Sequence, residues 1–521
     1  MQSHREVVFI AAENGALRGG KVGGVGDVVR DLPAALNALG WTVSVLAPAY
    51  GLLHKLPGSK MIESVEVDFA GQSERIDLWQ VQGSFPGVRN IVLDHELFAK
   101  DGAGKIYFGD QPSRPYATDA TKFAFLCAVA ATWLNDAGAL PDVVHLHDWH
   151  AAFYCLLREF STKHERLRGV RTVFTIHNLA YQGTRPLAGD PSSLESWFPE
   201  LDYDFDAVRD PFLDNCLNPM AAAIRLADKI STVSPTYAEE ICLPSNTATG
   251  FVGGEGLEGL LKDALDKAKL VGVLNGCYYD SPPDTTTWSG LLTAMRAQVA
   301  SWAEAQPLNP AHALAANRLE ALGKRKPATV LTSIGRLVAQ KATLFEAHGN
   351  HGKPALEEIA ELLGEKGLLV ILGSGDPEFE RVVSGIAQRN ANVLFLCGYS
   401  ETLADPLYAL GDLFLMPSSF EPCGISQMLA MRAGQPCVVH GVGGLRDTVV
   451  DGVSGFVFEG KDLPGQAAAF VATTGRALDL RRKQPRDWNK ICSVARSLRF
   501  EWRESAQLTI STLYGISDDR Q

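Results

Sequence analysis

The sequence predicts an α/β protein made of two doubly wound domains in tandem. The chain has 521 residues, which exceeds the size of one ordinary hydrophobic core. Each half contains short buried-strand runs, and those of the second half end in glycine or serine, with helix-like segments between most of them. This alternation is typical of parallel sheets covered by helices. A stretch rich in proline, glycine and threonine at 273–288 indicates a seam between the halves.

The first half opens with a strand, a glycine-rich loop, a helix and a second strand, which together form a βαβ unit. "VVFIAA" predicts the first strand, and "DVVRDLPAALNALG" places four apolar residues at helical spacing before a terminal glycine. "WTVSVLAP" predicts the second strand. Further buried strands are predicted at 142–147, 171–178, 328–336, 367–375, 392–398, 412–419 and 436–444.

Charge and cysteine usage limit the class of protein. The net charge of −12 disfavours non-specific binding to nucleic acid or to an anionic membrane. The nine cysteines contain no CxxC pair, which favours a reducing cytoplasm without a disulfide framework or a zinc knuckle. The N-terminus is expected to be a strand, not a signal peptide, and the apolar run at 123–134 is too short to span a bilayer.

The loop "GGKVGGVGDVV" at 19–29 is a candidate anion site. Closely spaced glycines let backbone N–H groups approach an anion at the start of a helix, and Lys21 adds a cation. The pattern matches neither a Walker A loop nor a GxGxxG fingerprint. The alternative is a flexible turn between strand and helix.

The segment "HLHDWH" at 145–150 ends a predicted strand. It suggests a zinc hydrolase, but the spacing differs from HxHxDH, because Trp149 stands where that motif has aspartate. We therefore expect no metal here. His150 is the better candidate for a donor to a substrate hydroxyl, whereas a structural role is favoured for His145.

The acidic segment "DYDFD" at 202–206 resembles the DxD that holds a metal diphosphate in some sugar transferases. It does not follow an obvious strand end. A solvated acidic loop is the favoured interpretation, because carboxylates are mostly exposed.

The segment "SIGRLVAQK" at 333–341 ends a strand of the second half. Arg336 and Lys341 lie five residues apart across a loop that leads into a helix. A rigid guanidinium and a compact ammonium at the ligand-binding edge of a parallel sheet suit a diphosphate. The alternative is solvated surface charge.

The turn "SSFEPCGIS" combines a carboxylate and a thiol before a helix-like run. Glu421 could hydrogen-bond sugar hydroxyls, or it could be favoured simply as an anion near a helix N-terminus. Cys423 as a nucleophile would need an adjacent base, and none is near in sequence. Two further glycine-rich turns, "GSGDPEFE" (373–380) and "GVGGLRDT" (441–448), could contact phosphate or only turn the chain.

Taken in order, these motifs resemble the bacterial glycogen synthase and plant starch synthase family of retaining glycosyltransferases. The resemblance covers most of the chain. It rests on "KVGGVGDVV", "DVVHLHDWHA", "FTIHNLAYQG", "LNPMAAAIRLADKISTVSPTYAEEI", "GVLNG", "GRLVAQK", "GYSETLADPLYALGDLFLMPSSFEPCGISQMLAMRAG" and "GGLRDTV". Each motif alone is modest, whereas eight in this order are highly specific.

The resemblance implies a GT-B fold, in which two Rossmann-like doubly wound domains face an interdomain cleft. Residues 1–275 would form the acceptor-side domain and 276–500 the donor-side domain, with 501–521 a helix packing back on the first. The implied reaction transfers glucose from a nucleotide-glucose, usually ADP-glucose, to the non-reducing end of an α-1,4-glucan. No metal or other cofactor, nucleic acid or membrane is implied.

The resemblance also implies roles for single residues. Lys21 belongs to the donor loop, and His150 lies near the transferred glucose. Arg336 and Lys341 neutralise the diphosphate leaving group, while Glu421 contacts the donor glucose. The other positions that the resemblance assigns to substrate binding are Gly23, Gly24, Asp27, His177, Asn178, Tyr181, Asn275, Tyr399, Cys423 and Gly424.

Some positions depart from the family pattern. The loop before Lys21 is lengthened by "ENGALRGG", Ala342 replaces the usual glycine, and "NGCYYD" replaces a shorter motif. Leu429 stands where many related transferases have a second glutamate. These departures leave open a related transferase with another donor or a small acceptor. A catalytically silent glucan-binding paralogue is a further alternative, and the presence of Lys21, Arg336, Lys341 and Glu421 argues against it.

Overall fold

The computed structural model describes residues 5–100, 102–279, 285–349 and 351–515 of the chain. It divides into two compact units. Unit 1 comprises Met1–Pro244, Gly253–Gly276 and Trp502–Gln521, and unit 2 comprises Ser245–Val252 and Cys277–Glu501. The change at 276/277 falls inside the segment 273–288.

The described part of unit 1 is built on a nine-stranded sheet with the strand order β11-β10-β7-β6-β1-β2-β5-β4-β3. The strands from β11 to β5 pair in parallel, whereas β3, β4 and β5 form an antiparallel edge. The small strands β8 and β9 pair separately. The bounds are β1 (Glu6–Ile10), β2 (Thr42–Pro48), β3 (Lys60–Phe69), β4 (Gln72–Val81), β5 (Val88–Asp94), β6 (Val143–His147), β7 (Arg171–Ile176), β8 (Arg185–Pro186), β9 (Cys216–Leu217), β10 (Lys229–Thr232) and β11 (Leu270–Gly272).

Helices cover this sheet. The predicted first helix begins three residues earlier than its sequence pattern indicates, at Gly24, and the apolar run 123–134 lies in a largely buried helix, α2. The bounds are α1 (Gly24–Ala38), α2 (Ala117–Asp136), α3 (Asp148–Phe160), α4 (Leu194–Trp197), α5 (Phe205–Val208), α6 (Pro219–Leu226), α7 (Pro235–Glu240) and α8 (Glu258–Asp266), with short 3₁₀ turns at Leu53–Lys55, Glu96–Phe98 and Thr162–Gly169.

Unit 2 contains, within its described residues, a six-stranded sheet in which every pair is parallel, in the order β14-β13-β12-β15-β16-β17. Its strands are apolar on both faces, as expected for a sheet covered on both sides. The bounds are α9 (Trp288–Ala305), α10 (Pro310–Ala321), β12 (Thr329–Ile334), α11 (Ala339–Glu346), α12 (Ala355–Leu363), β13 (Gly367–Gly373), α13 (Pro377–Arg389), β14 (Val393–Cys397), α14 (Glu401–Leu410), β15 (Leu413–Met416), α15 (Ser426–Arg432), β16 (Cys437–His440), α16 (Gly443–Thr448), β17 (Phe456–Phe458), α17 (Leu463–Lys483) and α18 (Pro485–Ser497).

Each sheet has a switch point where the chain reverses its direction of winding. In unit 1 it lies between β1 and β6, and in unit 2 between β12 and β15. Ligands of open α/β sheets bind outside the carboxyl ends of the strands at such points. The loops after these four strands are therefore the first places to look for a site. None of the helices in the described residues is long and apolar enough to cross a membrane.

The last helix, α19 (Trp502–Leu508), belongs to unit 1 and packs against α1. A single π-turn, Thr509–Leu513, follows it and leads to Tyr514. The buried Tyr514 hydroxyl lies 2.9 Å from Nδ1 of His145, whose Nε2 lies 2.6 Å from the Thr175 hydroxyl. The C-terminal segment is thus tied to the central strands β6 and β7.

We expect Tyr514→Phe to lower the free energy of unfolding of unit 1 by about 1–3 kcal/mol, because it leaves a buried His145 nitrogen without its partner. Denaturant unfolding measures the change. An unchanged stability would contradict the expectation.

Candidate functional site

The loop after β1 leads into α1 at the switch point of unit 1. Its lengthened part is closed on itself, since Asn14 N–H donates to the Gly20 carbonyl at 2.7 Å. Gly15 N–H donates to the Gly26 carbonyl at 3.0 Å, and a side chain on Gly15 would collide with that carbonyl. The extra residues therefore form a compact loop that is held against the start of α1.

The predicted donor-loop residues lie where α1 begins. Gly23 is the residue before the helix, and the space beside Gly24 is open. The Lys21 ammonium forms a salt bridge with the Asp27 carboxylate at 2.7 Å, and the Arg30 guanidinium forms a second one with Asp27 at 3.0 Å. Lys21 thus presents a cation whose position is set by the first turn of the helix.

His150 follows β6, in the first turn of α3. Its imidazole is enclosed by Tyr107, Phe123 and Trp149, with ring centroids 4.4–5.3 Å away. Burial lowers the His150 pKa to about 3, so the ring is neutral at physiological pH. Its Nδ1 has no hydrogen-bond partner among the described residues. A neutral, partly unsatisfied imidazole of this kind can hydrogen-bond a sugar hydroxyl.

Asp148 fixes the neighbouring segment after β7. Its carboxylate accepts the N–H of His177 at 2.7 Å and that of Asn178 at 3.4 Å, and its backbone adopts a strained left-handed conformation with φ 55°. Burial raises the pKa of Asp148 to about 7, against the lowering effect of these two bonds. Of the other predicted residues of this unit, Tyr181 is exposed and Asn275 follows β11.

The histidines of "HLHDWH" do not converge on a common point. His145 bonds to Tyr514 and Thr175, and Nδ1 of His147 lies 2.9 Å from Nε2 of His177. Burial lowers the pKa of His145, His147 and His177, so these three rings are neutral. No cluster of three or more metal-ligating side chains occurs in the described ranges.

In unit 2, Lys341 and Glu421 are direct partners. The loops after β12 and β15 bring the Lys341 ammonium to 2.7 Å from Oε2 of Glu421. The same oxygen accepts the Ser418 hydroxyl at 2.9 Å, and His440 Nδ1 lies 3.0 Å from the Ser418 carbonyl. Glu421 is 6% exposed, so this carboxylate is nearly desolvated and held in one geometry.

Arg336 shares this strand edge. It is exposed, and its side chain forms no hydrogen bond or ion pair within the described part of the chain. A small cavity between the carboxyl ends of β12 and β15 is lined by Gly335, Arg336, Lys341, Met416 and Ser418. The Arg336 guanidinium and the Lys341 ammonium therefore border this cavity, and Lys341 also pairs with the buried Glu421 carboxylate.

The turn that carries Glu421 is packed through its backbone. Gly424 has φ 76°, a conformation that favours glycine, and Gln427 donates to the Cys423 and Gly424 carbonyls. Gly444 N–H donates to the Glu421 carbonyl at 3.1 Å, and a Cβ on Gly444 would collide with the Cys423 carbonyl. The glycine-rich turn at 441–448 therefore supports the turn that carries Glu421.

Tyr399 lies at a different point of this edge. It follows β14, which is separated from β12 by β13. The ring is exposed, and its hydroxyl donates to Glu401 at 2.6 Å. The aromatic face of the ring is exposed.

Sequence reasoning missed several residues of these sites. Ser418 lies within the quoted turn, and its spacing of three residues from Glu421 was the available signal. Glu13, Tyr107 and His440 gave no local signal, because tertiary packing brings them to the sites. In "DYDFD", Asp204 caps α5 by accepting Asp206 N–H, which is a local structural role.

Each of these edges, taken by itself, is of the kind found in α/β enzymes whose ligand carries both phosphate and hydroxyl groups. Arg336 and Lys341 suit phosphate oxygens, whereas Glu421 and His150 suit hydroxyls. Comparison with known proteins identifies the family within that class.

The family described as starch synthase catalytic domain matches residues 6–263, and the family described as glycosyl transferases group 1 matches 330–475. A glycogen synthase of Streptococcus equi subsp. equi is 32% identical over 530 residues, covering 98% of this chain and 99% of the relative. A glycogen synthase of Anaeromyxobacter sp. is 34% identical over 510 residues, covering 96% and 97%.

Solved structures agree. The catalytic domain of starch synthase IV from Arabidopsis thaliana, bound to ADP and acarbose, is 29% identical with a TM-score of 0.74 and covers 98% of this chain and 99% of its own. Sucrose-phosphate synthase from Thermosynechococcus elongatus, 18% identical with a TM-score of 0.55 over 98% of each chain, shares the fold. The chain belongs to the bacterial glycogen synthase and plant starch synthase family of glycosyltransferases, with a GT-B fold, as its motifs predicted.

Proposed function

We propose that this glycosyltransferase moves glucose from ADP-glucose to the non-reducing end of an α-1,4-glucan, with retention of configuration. The starch synthase IV structure, which is bound to ADP and acarbose, supports an adenine nucleotide and an oligosaccharide as ligands. The Lys341–Glu421 pair beside Arg336, at the switch point of unit 2, is the observation that carries the proposal.

The chemistry of the proposed reaction matches these groups. Breaking the bond between glucose and diphosphate builds positive charge on the sugar and negative charge on the leaving group. Arg336 and Lys341 would stabilise the diphosphate, since preorganised cations lower the barrier where charge develops. Glu421, held by Lys341 and Ser418, would accept hydrogen bonds from the donor glucose and orient it.

Unit 1 would supply the remaining contacts. His150 would hydrogen-bond a hydroxyl of the transferred glucose, and Lys21 with Gly23 and Gly24 would contact the donor phosphates. The segment fixed by Asp148, with His177 and Asn178, would line the sugar-binding edge. In this scheme 1–275 is the acceptor side, 276–500 the donor side and 501–521 the closing helix of the first domain.

The other assignments follow from the same scheme. Tyr399 would stack on the nucleotide base, and Asp27, Tyr181 and Asn275 would contact substrate. We place the enzyme in the cytoplasm, where its cysteine thiols stay reduced.

A transfer assay tests the proposal. Purified protein is incubated with radiolabelled ADP-, UDP- or GDP-glucose and glycogen, and label in the precipitated glucan is counted. ADP-glucose is expected to give the highest kcat/KM. A preference for UDP-glucose would favour the alternative of a related transferase with another donor, which the leucine at position 429 leaves open. No transfer from any donor would refute the proposal.

Cys423 and Gly444 provide a matched test of how the turn works. Cys423→Ser should keep transfer within about 3-fold of wild type, because the change is nearly isosteric and the backbone contact stays. Gly444→Ala should lower it much more, because its methyl group meets the Cys423 carbonyl. Transfer rates and melting temperatures measure both. An inactive but folded Cys423→Ser would return the thiol to the mechanism.

A further inference from the structure

Glu13 is a buried carboxylate at the end of β1, 2% exposed. Its Oε2 accepts two backbone N–H groups of the glycine loop, from Val22 at 2.7 Å and from Gly23 at 2.8 Å. Bonds from N–H groups to a carboxylate are about twice as strong as neutral ones. The residue opens the "ENGALRGG" stretch and was not among the predicted site residues, yet it accepts two N–H groups of the loop.

The other oxygen of Glu13 reaches a second loop. Oε1 accepts the Tyr107 hydroxyl at 2.7 Å, and the Tyr107 ring lies 5.3 Å from that of His150. Burial and the charge of Glu13 raise the pKa of Tyr107 well above its usual value, so the hydroxyl stays a donor. One carboxylate therefore connects the glycine loop with the aromatic surroundings of His150.

The loop around Tyr107 is itself firmly held. The Lys122 ammonium donates to the Ile106 carbonyl at 2.7 Å, and the Asp119 carboxylate accepts Phe108 N–H at 3.0 Å. Lys122 and Asp119 are also paired, at 2.7 Å, and both are buried. Tyr107 is thus a fixed point from which Glu13 can position the glycine loop.

The bonds to Glu13 decide which N–H groups of the loop remain for a ligand. The N–H groups of Val22 and Gly23, just before α1, already donate to Glu13. Gly24 and Val25 are the first two residues of α1. The first N–H groups of a helix have no acceptor within that helix, and no atom lies close to the side-chain position of Gly24.

We propose that Glu13 is a positioning residue, which holds the glycine loop so that the N–H groups of Gly24 and Val25 receive the donor phosphates while His150 keeps its place. The inference rests on the proposed function. Glu13 touches neither the sugar nor the phosphate in this scheme, and it acts through the loop and through Tyr107.

Three substitutions at Glu13 separate positioning from charge. Glu13→Gln keeps one oxygen for the two N–H groups, and its amide can face Tyr107, so kcat/KM should fall less than about 5-fold. Glu13→Ala loses every bond, and kcat/KM should fall about 100-fold, mostly through a higher KM for the donor. Glu13→Asp is shorter by one methylene, cannot reach both loops, and should behave like the alanine variant.

Amide hydrogen exchange gives a readout that does not depend on activity. Val22 and Gly23 should exchange at least about 10-fold faster in Glu13→Ala and Glu13→Asp than in wild type, but not in Glu13→Gln. Asp142→Ala is the matched control, because Asp142 accepts a single backbone N–H, that of Glu6, at the opposite end of β1. It should change neither the exchange of the loop nor the KM for the donor.

The outcomes are distinct. Faster exchange with a raised KM supports the proposal, and unchanged exchange or an unchanged KM in a folded alanine or aspartate variant overturns it. If wild-type protein transfers no glucose from any donor, the proposed function fails. The exchange data, with ADP affinity from calorimetry, then still decide whether Glu13 positions the loop.

Discussion

Replacing Lys341 with alanine is expected to lower kcat by about 10³-fold, because a fixed cation beside the leaving diphosphate is lost. The steady-state rate of transfer from the donor to glycogen measures this. Lys341→Arg keeps the charge but not the compact ammonium geometry, and it should lose about 10-fold. A folded alanine variant within 10-fold of wild type would remove Lys341 from the mechanism.

The stability of this variant must be measured alongside its rate. Lys341 is the partner of a nearly buried carboxylate, and removing one member of such a pair leaves an uncompensated charge. Part of any loss could then come from a displaced Glu421. The melting temperature of the variant separates the two causes, since a displaced turn lowers it, whereas the loss of a contact to the diphosphate alone does not.

Replacing Glu421 is expected to have the second large effect. Glu421→Ala should lower kcat about 10³-fold, and Glu421→Gln about 10²-fold, because the amide keeps the Ser418 contact but lacks the charge. The double variant with Lys341→Ala should lose less than the product of the two single losses, because part of each single loss comes from leaving the partner's charge uncompensated. Near-normal transfer by folded Glu421→Ala would contradict the assignment.

A second ion pair of unit 2 offers the matched control. Glu357 pairs with Arg389 at 2.6 Å, between α12 and α13 and away from the β12 and β15 loops. Glu357→Gln removes the same charge from a similar pair. It should leave kcat and KM unchanged, so that a loss specific to Glu421 is not attributed to unpairing in general.

The parallel strands and their loops could be predicted from the sequence because their signals are local. Runs of buried apolar residues mark the central strands, and all nine strands predicted from such runs are present. The antiparallel edge β3–β5 and the short β17 were not predicted, since their patterns are weaker. The ordering of strands around the switch points also required the tertiary structure.

The candidate site shows the same division. Arg336, Lys341 and Glu421 could be singled out, because charged residues directly follow buried strands. That Lys341 and Glu421 are partners, 80 residues apart, could not be read from the sequence. The link between Glu13 and Tyr107, over 94 residues, is equally invisible to local patterns.

The division of the chain has a consequence for synthesis on the ribosome. Unit 1 is made of residues that precede and follow unit 2 in the sequence. After unit 2, α19 packs on α1, and Tyr514 contacts His145. Unit 2, apart from Ser245–Val252, is one continuous stretch. All nine strands described for the unit 1 sheet have been translated by Gly272, but α19 and Tyr514 follow only after unit 2. Nascent chains released before Trp502 should therefore carry a complete second unit and a first unit whose α1 lacks the helix that packs on it.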